Sequence, residues 1–381
     1  MRHAPLAAFL AVAALSGACS ASPPATCGQP GQWLNPADTS APLAADALLE
    51  RLAGQQVVLL GEAHDSAEDH RWQLHMLAQL HSRRPNLAIG FEMFPRRMQP
   101  VLDDWVAGKL PERELLKKSE WDKVWTFDAR DYLPLFHFAR MNRIPMLALN
   151  VERGLPEAVG KEGWDAVPEA RKEGVTRPAA PSAEYLKDLR MVFDHHPSRE
   201  RGEAAFPFFV EAQTAWDRAF AQSIAGHLTM NPDTLVVGIL GAGHVRHGRG
   251  VAHQLADFAI RRVSGLITWD QGISCGHIAK GIADAVYVVR EPAGPAPRLG
   301  VATESAKSGH LKITEVTAGS VADKAGLKSG DIIVDIAGQR STGLQMLRNF
   351  VQRQTPGTWL PLKIRRGGDE LEIIARFPAE G

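Results

Sequence analysis

Six short runs of aliphatic and aromatic residues, separated by stretches with helical periodicity, constrain the fold of this 381-residue chain most strongly. Each run is continuously apolar, which is typical of strands buried on both faces of a sheet. Strands that alternate with helices at this spacing predict an α/β domain with a mostly parallel sheet flanked by helices. The runs are residues 57–60, 87–91, 145–149, 235–240, 266–269 and 285–289.

The periodicity and composition of the remaining segments predict how the chain is divided into domains. Residues 152–231 lack a strand pattern and have helical periodicity, so they predict a helical subdomain inserted over the sheet. Proline, glycine and alanine are frequent between residues 20 and 43, which predicts a tether. The α/β domain is then expected to span residues 44–290, followed by a proline-rich linker at 291–297 and a small β-rich module at 298–378.

The first nineteen residues predict an export signal. Arg2 precedes an apolar stretch at residues 4–15, and the small residues Ser-Gly-Ala lie directly before Cys19. This pattern resembles a bacterial lipoprotein signal, in which the cysteine is acylated; plain secretion is the alternative. No later apolar run approaches the roughly 20 residues needed to span a bilayer. We therefore expect a periplasm-facing envelope lipoprotein that touches the membrane only through its anchor, and the lack of Asp after Cys19 favours the outer membrane.

The charge balance and the cysteine content limit which partners the chain can bind and predict how its cysteines are paired. Lys plus Arg (43) equals Asp plus Glu (43), so the chain has no long-range positive field that would attract nucleic acid. Cys27 and Cys275 are the only cysteines besides Cys19. In an oxidising periplasm they are expected to form a disulfide, with two unpaired thiols as the alternative.

The C-terminal module resembles a bacterial PDZ domain at residues 298–301 and, over a longer stretch, at residues 316–339. The first of these stretches is a hydrophobic-Gly-hydrophobic loop, whose backbone N–H groups can capture a terminal carboxylate while the next strand pairs with the peptide. The expected partners are protein or peptide C-termini, and a PDZ fold that only packs against its own first domain is the alternative. The predicted groove residues are Leu299, Gly300, Val301, Leu344, Leu347 and Val351.

Polar residues directly follow four of the apolar runs in the α/β domain. The first run leads into Gly-Glu-Ala-His64, the next two into Glu92 and Asn150, and the fourth into Gly-Ala-Gly-His244. The carboxyl ends of parallel strands lie side by side, and ligands bind in the crevice beyond them. We therefore expect one shared site, formed by Gly61, Glu62, His64, Glu92, Asn150, Gly243 and His244, with Asp128, Arg130 and Arg246 near its rim. His70 is expected to face the same crevice, with a helix surface position as the alternative.

At these strand ends the chain resembles the ChaN-like haem-binding uptake family, part of a superfamily that includes the Tiki metalloproteases. The similar stretches are residues 57–64, 90–94, 144–150 and 238–245, and the resemblance covers roughly residues 50 to 275. It implies an α/β core with a smaller helical subdomain, an envelope lipoprotein, a link to haem or iron acquisition, and haem-mediated homodimers.

Two functions compete for the predicted site. In the first, the domain binds haem or an iron compound, and an axial ligand must come from Tyr, His or Met. Tyr185 in the helical subdomain is the first choice, with His64, His196 and His244 as further haem-binding residues.

In the second, the site is that of a Tiki-like metal-dependent peptidase. Glu62, His64, Glu92 and His244 would hold Zn²⁺, Mn²⁺ or Fe²⁺, and Glu62 or Glu92 would remain free as the general base. A scaffold role for the domain is the third interpretation. The chain has no Gly-x-Ser-x-Gly motif for a serine hydrolase, and Gly-Ala-Gly243 lacks the further glycine of a dinucleotide-binding loop.

Overall fold

A computed structural model describes residues 27–125, 127–290, 297–306, 310–341 and 343–379. The predicted export signal with Cys19 and most of the predicted linker lie outside the described residues. Within the described ranges, no helix has both the length and the apolar character that crossing a bilayer requires.

The first domain alternates strands and helices along the chain. Its strands are β1 (Trp33–Asn35), β2 (Asp38–Leu43), β3 (Val57–Glu62), β4 (Leu87–Pro95), β5 (Met146–Asn150), β6 (Leu235–Gly241), β7 (Val263–Asp270) and β8 (Ala285–Val289). Its α-helices are α1 (Ala45–Ala53), α2 (Ala67–Arg83), α3 (Gln99–Val106), α4 (Glu112–Lys118), α5 (Trp121–Val124), α6 (Ala129–Met141), α7 (Gly154–Glu162), α8 (Ala183–Phe193), α9 (Phe206–Met230), α10 (Ala242–Val245) and α11 (Val251–Asp257).

The eight strands form one mostly parallel sheet with the order β2-β1-β8-β7-β3-β6-β4-β5. All neighbours from β8 to β5 pair in parallel, as the alternation of strands and helices predicts. Every residue of β3, β4 and β6 is buried, because helices cover both faces of the sheet. Successive side chains of β3 accordingly enter different cores: Val58 and Leu60 pack with α2 and α6, whereas Val57 and Leu59 pack with α9 and α11.

The segment predicted to be a tether is folded from Cys27 onward. The folded domain therefore begins before residue 44, the boundary that the composition predicts. β1 pairs antiparallel with β8 and with β2, so the two short strands extend the sheet at one edge. Trp33 is only 3% exposed, and its ring lies 4.9 Å from that of Tyr287 and 6.2 Å from that of Trp72. The burial of this large aromatic side chain, together with the strand pairing, helps to offset the entropy lost in ordering the segment.

Cys27 and Cys275 form a disulfide, the pairing that the sequence analysis favours. The bond joins positions 248 residues apart, and Cys27 also donates a backbone hydrogen bond to the carbonyl of Gln271. Cross-linking so distant a pair restricts the unfolded chain strongly.

We expect replacement of both cysteines with serine to lower the free energy of unfolding by about 2–5 kcal/mol, measured by urea unfolding. Dithiothreitol should destabilise the wild type to the same extent and leave the double variant unchanged. Equal stability of the oxidised wild type and the double variant would contradict the expectation.

Between β5 and β6 the chain forms helices and no strands, as the helical periodicity of residues 152–231 predicts. α8 begins after Ser182, whose hydroxyl accepts a hydrogen bond from the backbone N–H of Tyr185. The long helix α9 carries most of the contacts of this region, since it packs on α7, α8, α11 and β5. It thereby covers the ends of β5 and β6, where the predicted site lies.

The C-terminal domain is a small antiparallel sheet with two helices. Its strands are ordered β14-β13-β11-β10-β9, with β12 paired to β11, so β9 lies at an open edge. The strands are β9 (Val301–Ser305), β10 (Leu311–Val316), β11 (Ile332–Ile336), β12 (Gln339–Arg340), β13 (Trp359–Arg366) and β14 (Asp369–Arg376), and the helices are α12 (Val321–Lys324) and α13 (Leu344–Gln352).

Candidate functional site

The ends of the central strands converge, as the positions of their polar residues predict. The carboxylate of Glu92 on β4 accepts a 2.6 Å hydrogen bond from the backbone N–H of Gly241, the last residue of β6. Asn150, the last residue of β5, donates its side-chain amide to the carbonyl of Glu92 at 2.8 Å. Its amide oxygen accepts a 2.7 Å hydrogen bond from Trp216 on α9. Asn150 therefore joins the strand ends to a helix above them.

Glu62 and His64 form the first of two carboxylate–imidazole pairs. One oxygen of Glu62 accepts hydrogen bonds from His64 Nδ1 at 2.8 Å and from the Tyr132 hydroxyl at 2.7 Å. Its other oxygen accepts a 2.7 Å bond from the Gln73 side chain. Since the carboxylate requires a proton on His64 Nδ1, the neutral ring keeps its Nε2 lone pair free. Glu62 is 3% exposed, and its role in this arrangement is to orient His64.

Asp217 and His244 form the second pair. Asp217 lies on α9 without solvent exposure, and its Oδ1 lies 2.7 Å from His244 Nδ1. Its Oδ2 accepts a 2.7 Å hydrogen bond from the Tyr185 hydroxyl. His244 Nε2 then faces Glu92, 3.9 Å from the nearer carboxylate oxygen. The two pairs thus approach Glu92 from different elements of the domain.

The neighbouring carboxylates stabilise the protonated, charged forms of both imidazoles. Burial disfavours the charge on His64, but the hydrogen bond to Glu62 and the nearby charge of Glu92 outweigh burial and raise its pKa. Burial also disfavours the charge on His244. The hydrogen bond to Asp217 and the negative charge of Asp217 outweigh burial and raise the pKa of His244 to about 9. Both rings therefore favour a proton when no ligand competes for Nε2.

Gly241 permits the close approach of His64 to the end of β6. A Cβ atom at this position would lie 2.9 Å from Cε1 and 3.1 Å from Nε2 of His64, closer than real Cβ contacts allow. Gly243, two residues later, has no atom within 4 Å of the corresponding position.

We expect Gly241→Ala to displace the His64 ring and to destabilise the fold by about 1–3 kcal/mol, because the displaced ring strains or loses its hydrogen bond to Glu62. Thermal unfolding and the histidine side-chain NMR signals measure the two effects. Gly243→Ala is the matched control and should change neither. Identical spectra for the two variants would show that the close approach is unimportant.

A cavity of about 1220 Å³ opens in front of His64 and Glu92, between the strand ends and the helical subdomain. It exceeds the roughly 300–1,000 Å³ of most small-molecule pockets. Four aromatic side chains contribute to its walls: Trp125 and Phe127 contact the His64 ring at centroid distances of 4.8 and 5.1 Å, and Trp216 and Phe209 lie on the helical side. The charged residues along it are Arg97, Lys123, Arg153, Lys161 and Arg201, interleaved with Glu120, Glu152, Glu157 and Glu200.

The sequence profile of the family described as haem-binding uptake, Tiki superfamily, ChaN matches residues 48–255, more than half of the chain. The chain belongs to the ChaN family. A PDZ-domain profile matches residues 312–366. The fold of the ChaN domain is also that of ChaN from Campylobacter jejuni, which is 19% identical, with a TM-score of 0.54 over 68% of this chain and 96% of the other. That protein is described as binding haem cofacially.

Two curated relatives match shorter stretches, and both are named probable periplasmic serine endoprotease DegP-like. The protein from Chlamydia muridarum is 32% identical over 167 residues, which cover 43% of this chain and 32% of the relative. The protein from Chlamydia pneumoniae is 41% identical over 71 residues, covering 18% of this chain and 14% of the relative. The chain therefore spans about a third or less of the length of these relatives.

The ChaN domain does not bring every predicted residue to the cavity. Tyr185 does not line it; the side chain is 5% exposed and its hydroxyl is bound to Asp217. This differs from its predicted role as the axial haem ligand. Gly243 and Arg246 are likewise not among the lining residues, and His196 lies on the wall formed by the helical subdomain.

The predicted four-ligand metal set is not assembled either. Among the described residues, no three His, Cys, Asp or Glu side chains are arranged to hold a metal ion. Both oxygens of Glu62 are already used by His64, Tyr132 and Gln73. His70, predicted to face the crevice or to lie on the helix surface, is buried behind this network, 3.2 Å from the Gln73 side chain.

Sequence reasoning missed the residues that hold the two imidazoles. Asp217 and Tyr132 lie on helices, 27 and 70 residues from the side chains that they contact. One signal was available for Asp217: it stands in the apolar stretch of α9, where a buried acid requires a partner. Nothing local distinguishes Tyr132 from an ordinary core aromatic residue.

The PDZ domain presents β9 as an unpaired edge, which leaves its backbone open to an added strand. Gly300 has a φ of 85°, and a Cβ there would lie 2.3 Å from that of Ser320, so the loop requires glycine. Leu344 is 40% exposed beside the groove. Leu299, Leu347 and Val351, which are predicted as groove residues, are almost fully buried in the domain core.

Proposed function

We propose that this chain binds haem or a related iron compound in the large cavity and that His64 Nε2 is the axial ligand. The single observation that carries the proposal is the Glu62–His64 hydrogen bond of 2.8 Å, which fixes the proton on Nδ1 and leaves the Nε2 lone pair in a cavity-lining side chain. A carboxylate partner on the far nitrogen also increases the basicity of a metal-binding imidazole.

His196 fits this role less well, although it lines the same cavity. Its Nδ1 accepts a 3.1 Å hydrogen bond from the backbone N–H of Ser198, so the neutral ring carries its proton on Nε2. The nitrogen that faces outward then has no lone pair for a metal. The two histidines of the cavity therefore differ in tautomer, and His64 is the better ligand.

The cavity walls fit a flat, largely apolar molecule with anionic groups. Trp125, Phe127 and Trp216 offer aromatic surface to a porphyrin ring. Arg153, Lys161 and Arg201 line the same cavity and can form charge-assisted hydrogen bonds with propionate groups. Haem, when bound, supplies an iron centre whose properties the axial ligand and its hydrogen bonds tune. The domain's own contribution is to orient His64 and to exclude water.

Titration of the purified protein with haemin tests this proposal. We expect a saturable Soret band with a defined stoichiometry and loss of the bound pigment to an excess of an apomyoglobin acceptor. The size of the cavity and the cofacial haems of the C. jejuni protein support the expectation of more than one haem per assembly. A spectrum equal to that of free haemin at every ratio would refute haem binding.

A metal-dependent hydrolase is the second candidate. One observation favours it: two imidazoles, each with a carboxylate on Nδ1, flank Glu92, an arrangement that recurs around catalytic metals. His64, His244 and Glu92 would have to move closer together to act as ligands, since no such group is assembled among the described residues. Peptide cleavage that depends on added Mn²⁺ or Zn²⁺, with no haem uptake, would favour this candidate over the first.

We further propose that the protein acts in the bacterial envelope as a lipoprotein acylated at Cys19. The Cys27–Cys275 disulfide supports an oxidising compartment. Cys19→Ala should release the protein from the membrane fraction or leave the signal uncleaved. Normal lipid labelling of that variant would exclude acylation at this residue.

The PDZ groove is proposed to bind peptide C-termini along β9. The loop at Gly300 and Val301 offers backbone N–H groups to a carboxylate. We expect a peptide with a free carboxylate to bind more tightly than its C-terminal amide by about 1.5–3 kcal/mol, measured by calorimetry. Equal affinities would mean that the groove does not recognise chain ends.

A further inference from the structure

The PDZ domain contacts the ChaN domain at the first turn of α6. Arg353, which ends α13, places its Nε 3.1 Å from Asp128 and its Nη2 2.9 Å from Asp131. On the other side of the contact, the guanidinium of Arg130 lies 4.9 Å above the ring of Phe350. Asp128 and Arg130, predicted at the rim of the cavity, thus face the PDZ domain.

The charges at this contact are well matched to the two helix ends. Asp128 caps the N-terminus of α6, and Asp131 lies in its first turn, where the helix dipole favours acids. Arg353 stands at the C-terminus of α13, where the dipole favours a cation. Asp128 also forms an ion pair with Arg130 on its own turn, so the arginine of the PDZ domain matters most to the half-buried carboxylate of Asp131.

The same turn of α6 also supports the side of the cavity that carries His64. Tyr132 follows Asp131 directly, and its hydroxyl donates to Glu62 at 2.7 Å and lies 3.3 Å from the carbonyl of His64. Phe127 precedes the helix and packs on the His64 ring. A shift of this turn therefore moves two side chains that contact His64 or its carboxylate.

We infer that Arg353 of the PDZ domain is a positioning residue for His64, acting through the first turn of α6. The PDZ domain then forms part of the support of the cavity in the other domain. A groove ligand that displaces α13 would therefore change the affinity of the cavity for its ligand, and the cavity ligand would change the affinity of the groove by the same factor. The inference rests on the proposed haem function only for its affinity readout, because the position of His64 is measurable without haem.

Arg353→Gln in the full-length, haem-free protein is the first test. We expect the NMR signals of the His64 imidazole nitrogens to shift, because the turn that holds Tyr132 and Phe127 loses its ionic contact. Arg348→Gln is the matched control: the residue is exposed on the same helix α13, and its substitution should leave the signals unchanged. Arg353→Lys keeps the positive charge, so we expect it to shift the His64 signals less than Arg353→Gln does.

Haem titration gives the second readout. Substitutions at such connecting positions change coupled sites by about 2- to 30-fold in affinity, and we expect a loss within this range for Arg353→Gln. Asp131→Asn should reproduce the loss from the other side of the contact, and the double variant should lose no more than either single variant.

Unchanged His64 signals in both Arg353→Gln and Asp131→Asn would overturn the inference. If the wild type binds no haem, the proposed function fails, yet the imidazole signals still decide whether Arg353 positions His64. Haem binding by the wild type with equal affinity in all variants would reject the positioning role alone.

Discussion

Replacing His64 with alanine is expected to abolish specific haem binding, lowering the affinity by more than about 100-fold. Loss of an outer hydrogen-bond partner typically costs 10–100-fold in metal affinity, and loss of the ligand itself costs more. Glu62→Gln should fall in the 10–100-fold range, because the amide still accepts a hydrogen bond but carries no charge to support the imidazole. Haemin titration monitored at the Soret band measures both effects.

His196→Ala and Tyr185→Phe are the controls for this prediction. His196 lines the cavity but has its proton on the outward nitrogen, so its loss should weaken binding only through lost contact area. Tyr185 lies outside the cavity wall, and its hydroxyl is occupied by Asp217. A Soret band that survives His64→Ala and disappears in Tyr185→Phe would refute the assignment of the ligand and favour the tyrosine.

Asp217→Asn is expected to lower the stability of the ChaN domain by about 3 kcal/mol near neutral pH. Asp217 is fully buried and is the counter-ion of His244. Breaking such a pair leaves an uncompensated charge, which usually costs 3–5 kcal/mol. Urea unfolding measures the difference, and Tyr185→Phe, which removes only a neutral donor to the same carboxylate, should cost about 1 kcal/mol.

The same pair predicts a pH dependence. The folded pKa of His244 is raised to about 9, above the value of about 6.5 in the unfolded chain. Protonated His244 therefore contributes its full stability, about 3 kcal/mol, below pH of about 6.5, and this contribution is lost as the pH rises through about 9. The wild type and Asp217→Asn should converge in stability above that pH. A constant difference from acidic to alkaline pH would contradict the assignment to His244.

The sequence predicted the parts of the site that strand geometry alone determines. Glu62, Glu92, Asn150 and Gly241 end or nearly end parallel strands, and the sheet must bring such positions together. His64 follows its strand by two residues and is therefore also placed by the strand. The mostly parallel sheet and the helical subdomain followed from the same alternation of patterns.

The features that the sequence did not predict depend on contacts between elements far apart in the chain, which local patterns do not encode. Tyr185 was expected to face a ligand, yet the direction of its side chain is set by how α8 packs on α9. Trp33 belongs to the sheet only because β8, some 250 residues later, offers an edge and an aromatic partner. The contact of Arg353 with α6 likewise joins two domains, each of which is predictable on its own.

The disulfide at Cys27 limits how far the ChaN domain can move from a membrane. A lipid at Cys19 would lie only eight residue steps before Cys27, the position that is fixed to Cys275. Even a fully extended chain of that length reaches at most about 29 Å. A tether of 24 residues, as the composition of residues 20–43 predicts, would reach about three times as far. The folded body would therefore stay within about one bilayer thickness of the lipid surface, and a partner would have to approach it there.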